Sequence, residues 1–69
     1  MTMISMKLKE IRIKRGMSQR KFADSIGVPL GTYKSWEYSL SVPDYRYRET
    51  LERIDPALIK VWERDKMAV

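Results

Sequence analysis

Gln19, Arg20 and Lys21 open one apolar-striped segment, and Leu30, Gly31, Lys34 and Ser35 fall between the apolar positions of the next. These groups bind; they do not make or break bonds. The first three can hold an anion, because two cations follow a side-chain amide at a helix start, where the helix dipole is positive. The second set carries one long donor, Lys34, able to reach O6 or N7 on a guanine edge. Leu30 can pack on a thymine methyl, Gly31 permits close approach, and Ser35 can donate or accept. Other chemistry is closed off. The chain has no cysteine and no histidine, which excludes thiolate or imidazole metal sites, disulfides, and Cys or His nucleophiles and bases. No glycine loop to cradle a phosphate is present, and the acidic residues are scattered as helix caps and surface partners. Neither an enzyme nor a cofactor is expected.

To present those residues together, the chain needs two short helices joined by a tight turn. Between Gln19 and Glu37, Ala23 and Gly27 fall at the two tightest places of such a unit. A small residue suits the crossing of the two helices, and glycine suits a turn with positive φ. Phe22, Ile26, Val28, Tyr33 and Trp36 give each helix one inward stripe. Leu30, Gly31, Lys34 and Ser35 are left facing outward on the second helix, the face that a helix-turn-helix lays in a DNA major groove.

Around this unit the spacing predicts an all-α, five-helix fold. The first helix is expected from Met6 to Arg15, with Leu8 and Ile11 inward and Gly16 as its left-handed stop. Ser18 caps the second, Gln19 to Ile26, and the third runs from Leu30 to Tyr38. Asp44 caps a fourth, whose Tyr47, Leu51 and Ile54 share a face. Asp55-Pro56 starts a fifth that continues to Lys66. The expected core is Leu8, Ile11, Met17, Phe22, Ala23, Ile26, Val28, Tyr33, Trp36, Leu51 and Ile54. Residues 1–5 are read as a flexible segment or upstream leader; lacking Lys and Arg, they make a poor minor-groove arm. Residues 6–69 are read as one domain, with the helix-turn-helix at about 19–38 and the C-terminal helices at about 45–66.

Charge is unevenly placed. Eight basic residues face three acidic ones from Met1 to Tyr38, whereas six balance six from Ser39 to Val69. The whole excess of +5 therefore lies on the half that carries the helix-turn-helix, which points to a polyanion partner. No apolar run approaches the roughly 20 residues of a membrane span, and a cytoplasmic location without membrane contact is expected.

The residues Leu8 and Arg12, the run Gly16-Met17-Ser18-Gln19, Ala23, Gly27-Val28, Thr32-Tyr33, Trp36-Glu37 and Pro43 together resemble the Cro/repressor-type, or XRE-family, helix-turn-helix proteins. Val28-Pro29-Leu30-Gly31-Thr32 followed by Trp36-Glu37 is most similar to small phage regulators and HigA-type antitoxins. The resemblance implies a compact lambda-repressor-like domain acting on a double-stranded operator in a bacterial cell or phage-infected host. It assigns base reading to Leu30, Gly31, Lys34 and Ser35, and phosphate contact to Ser18, Gln19, Arg20, Lys21, Thr32 and Tyr38. It also implies an ion pair between Arg12 and Glu37, holding the first helix to the end of the third. Two positions depart from the pattern: Pro29 lacks the capping oxygen of Ser or Thr, and Ser39 replaces the glycine that usually follows the third helix. The fifth helix has a wide apolar stripe, Leu58, Ile59, Val61 and Trp62. Part of this stripe closes the core, the preferred role for Trp62, and Ile59 with Trp62 are the candidates for the face of a weak homodimer formed on DNA. The alternative is an antitoxin-type module that binds a partner protein there and autoregulates through DNA.

Overall fold

Three of the chain's helices end in the same way, and this repeated stop shapes the fold. In the computed structural model, which describes residues 2–67, α1 spans Met3–Lys14, α2 Gln19–Ile26 and α3 Leu30–Glu37. Gly16, Gly27 and Ser39 follow them with φ of 67°, 71° and 61°. At each stop the next two N–H groups bond back into the last turn: Gly16 to Ile13 O and Met17 to Arg12 O, Gly27 to Asp24 O and Val28 to Ala23 O, Ser39 to Trp36 O and Leu40 to Ser35 O. This is the Schellman arrangement, which satisfies carbonyls otherwise orphaned at a helix end.

A 3-10 turn at Tyr45–Tyr47 leads into α4, Arg48–Ile54, and α5 follows at Leu58–Met67. Asp44 caps that turn by accepting from Arg46 N, so its cap acts one step before α4. Asp55 accepts from Ala57 N at 3.0 Å, and α5 becomes regular two residues beyond Pro56. There is no strand among the described residues, and no helix is long and apolar enough to cross a membrane.

α1 packs on α3 and α5, α2 on α3, and α4 on α5. Leu8, Phe22, Ala23, Val28, Tyr33, Trp36, Leu51 and Ile54 are buried, while Ile11, Met17 and Ile26 are half-buried at the margin. Edge-on aromatic pairs run through this core: Phe22–Tyr33 at 5.3 Å, Tyr33–Trp36 at 6.3 Å and Trp36–Tyr47 at 4.8 Å between ring centres. Such edge-to-face contacts favour one fixed packing arrangement.

The N-terminal reading is corrected. Helix α1 starts at Met3, not Met6, and residues 2–5 belong to the packed structure; Met1 lies outside the described residues, as do residues 68 and 69. Ile4 is wholly buried, which supplies the apolar anchor that keeps this segment docked. Thr2 caps the helix through its hydroxyl, which accepts from Ser5 N. From α5, the Asp65 carboxylate accepts from the N–H groups of Met3 and Ile4 at 3.2 and 2.6 Å. A carboxylate there is favoured by the positive end of the helix dipole.

Candidate nucleic-acid interface

The helix-turn-helix is clamped from behind by a buried fork. Arg12 donates through Nε to Glu37 Oε2 and through Nη2 to Glu37 Oε1, both at 3.0 Å, and through Nη1 to the Met17 carbonyl at 2.9 Å. The two side chains are only 14% and 3% exposed. One guanidinium thus joins α1, the stop after it, and the end of α3. Burial alone would raise the Glu37 carboxyl, but hydrogen bonds from Arg12 and Gln19 outweigh it and hold the group below the ordinary carboxylate range. Beside this pair, the buried Tyr33 hydroxyl has no hydrogen bond of acceptable geometry. Burial, then the Glu37 carboxylate, pushes its ionisation well above the ordinary tyrosine value.

At the start of α2, Ser18 accepts from Lys21 N at 3.1 Å, so its hydroxyl is engaged as a cap. Gln19 is half-buried. Its Nε2 donates to Glu37 Oε1 at 3.1 Å and faces the Tyr38 hydroxyl at 3.3 Å. The amide expected to reach a phosphate here bridges Glu37 to Tyr38. Arg20 and Lys21 are fully on the surface and carry no ion pair among the described residues. Tyr38 is 59% exposed and stands beside them through Gln19.

On α3, successive residues turn by about 100°, which puts Gly31, Lys34, Ser35 and Tyr38 on one side and Leu30, Tyr33, Trp36 and Glu37 on the other. Gly31 and Lys34 are exposed, and Ser35 and Thr32 are half-exposed. The Ser35 hydroxyl donates to the Gly31 carbonyl at 3.1 Å, within the helix. Leu30 is half-buried and packs against the margin of the core. Pro29 stands at the N-cap without a side-chain hydrogen bond, and its carbonyl accepts from Tyr33 N at 3.0 Å.

Trp62 lies in the core, the first of the two roles open to it. It is 1% exposed, its ring meets Tyr45 edge-on at 5.5 Å, and its indole N–H donates to the Pro43 carbonyl. It closes the core and is not part of an open face; Ile59 remains half-buried at the margin.

Two further residues lie close to this face. Lys9 lines a groove between α1 and α3 together with Ser5, Met6, Glu37 and Tyr38, which brings a cation beside the exposed tyrosine. Its signal was its place one turn before Arg12. Ser39 departs from the usual glycine, and no pattern in the residues announces that its hydroxyl meets Thr2 and Ser5.

A family model described as a helix-turn-helix matches residues 8–47, more than half of the chain. No match was found among curated proteins or among solved structures.

Proposed function

The chain belongs to the helix-turn-helix family of Cro/repressor-type DNA-binding proteins, and from that premise we propose that it reads a specific duplex operator and regulates transcription by occupying it. Helix α3 lies in the major groove, and α2 crosses the phosphate backbone at its N-terminal end. One observation carries this reading: Gly31 and Lys34 are exposed and Ser35 half-exposed on one side of α3, with Arg20 and Lys21 exposed at the start of α2. Lys34 reads a base edge, Gly31 lets the backbone approach, and Arg20, Lys21 and Tyr38 hold phosphates.

This reading face is short and has one long donor. Two copies on a two-fold site, with their α3 helices entering successive major grooves about 34 Å apart, supply the missing contacts. DNA shape supplies further discrimination at positions the side chains do not touch. The partner-protein alternative loses its strongest anchor, since Trp62 lies in the core.

Selection of bound sequences from random duplexes tests the reading directly. A recovered consensus with two inverted half-sites is the expected result; no enrichment over the starting pool would sink it. On the selected duplex, Lys34→Ala is expected to relax preference at one or two positions, by about 1–3 kcal/mol for a lost base contact. Equal weakening on every sequence would instead make Lys34 a phosphate contact. Arg20→Ala is expected to weaken all duplexes alike and to reduce the salt slope by about one. An unchanged slope removes Arg20 from the interface.

A further inference from the structure

We infer that Ser39, Ser5 and the backbone of Thr2 form a hydroxyl latch holding the exit of α3, and that Ser39 is a positioning residue for the DNA-facing end of that helix. Three hydrogen bonds close a ring. Thr2 N–H donates to Ser39 Oγ at 3.1 Å, Ser39 Oγ–H to Ser5 Oγ at 2.9 Å, and Ser5 Oγ–H to the Thr2 carbonyl at 2.8 Å. Each hydroxyl accepts once and donates once, so the ring is directionally consistent and its members polarise one another. Ser5, at the centre of the ring, is 1% exposed, while Thr2 and Ser39 are half-buried.

The need for a latch follows from comparing the three helix stops. After α1 and α2 the left-handed residue is glycine, and the residue beyond it, Met17 or Val28, packs on the core. That apolar contact is the usual companion of a Schellman stop. After α3 both supports are missing: Ser39 has a side chain at φ 61°, and Leu40 beyond it is 77% exposed. L-residues other than glycine are disfavoured in this conformation. The ring replaces the missing apolar anchor and offsets the strain, and it does so from the first turn of α1. That turn is itself tied to α5 through Asp65. Tyr38, directly before Ser39, is the exposed end of the reading helix. A shift at Ser39 therefore moves Tyr38 and the chain that leaves the interface.

The functional half of this inference rests on the DNA reading proposed above; the structural half does not. Ser39→Gly removes the hydroxyl while relieving the left-handed strain, and Ser5→Ala removes the second hydroxyl while leaving position 39 intact. Both are made in the full chain. Amide exchange is followed by NMR, and affinity is measured on the duplex selected by the wild type. In each variant the Leu40 and Ser41 amides, which bond to Ser35 O, are expected to exchange about five- to tenfold faster, with Met17 and Val28 unchanged. Affinity is expected to fall by a similar factor, and the double variant should lose no more than either single one. Wild-type exchange at Leu40 and Ser41 in both variants overturns the latch. Faster exchange with undiminished affinity overturns the positioning role. Should the wild type bind no duplex, the DNA reading falls on that result, and the exchange data alone judge the latch.

Discussion

Glu37→Ala is expected to abolish DNA binding by unfolding the domain. The carboxylate accepts from Arg12 twice and from Gln19 once, at the junction of α1, α2 and α3. Its removal leaves a guanidinium, 14% exposed, without its counter-charge. Stranding one partner of a buried pair costs about 3–5 kcal/mol, comparable to the roughly 3–5 kcal/mol that a core of this size supplies in all. Loss of helical circular dichroism and of a cooperative melt at 25 °C checks the expectation. Native helicity and melting temperature, with binding gone, would show instead that Glu37 acts on DNA directly. The same group sets an acid limit for the wild type. Its folded pKa lies below the ordinary value of 4.5, so the unfolded chain takes up its proton first as pH falls. The stabilisation is complete above 4.5 and is lost as pH drops through the lower folded value. Acid melting that is unchanged by Glu37→Gln would remove this contribution.

Local stereochemistry made much of the fold legible. Gly16 and Gly27 announced left-handed stops because no other residue adopts positive φ as readily, and both do so here. Phe22, Ala23, Val28, Tyr33 and Trp36 announced an inward stripe because helical spacing brings them to one side. Long-range partners were not legible. Ile4 and Asp65 are 61 residues apart, and their meeting makes residues 2–5 the capped first turn of α1 rather than a loose segment. Leu30 lies within the recognition segment, yet its angular position next to Tyr33 and Glu37 sends it to the core margin. For Gln19 the residue type was read correctly as a hydrogen-bonding group, but its partner depended on where Glu37 and Tyr38 end up. Ser39 shows the limit best: the strain is visible from its place after a helix, whereas its relief comes from Ser5 and Thr2, 34 and 37 residues away.

Trp62→Ala is expected to be the most damaging single core truncation that leaves the recognition helix itself untouched. The indole is 1% exposed and packs from α5 against the segment between α3 and α4, where Tyr45 covers its edge at 5.5 Å. The Lys66 ammonium sits 4.0 Å from the Tyr45 ring centre and 4.9 Å from that of Trp62, adding a cation–π contact over both rings. Truncating a buried tryptophan costs about 3–5 kcal/mol, and the Pro43 carbonyl loses its donor as well, a further cost of about 1–3 kcal/mol where the group stays buried. Together these exceed what so small a core can lose. Trp62→Phe is the milder change, because it keeps an aromatic ring in the site while removing the N–H and part of the buried indole; a folded domain with a lowered melting temperature is expected. The measurement also decides between core and interface. An interface tryptophan would leave the melt of the isolated chain unchanged on truncation and alter only its sedimentation on DNA. Because Trp62 holds the Pro43 segment to α5, its loss should release the chain leaving α3, so DNA affinity in Trp62→Phe should fall together with stability. A Trp62→Ala chain that melts like the wild type would return this residue to the surface and reopen the partner face on α5.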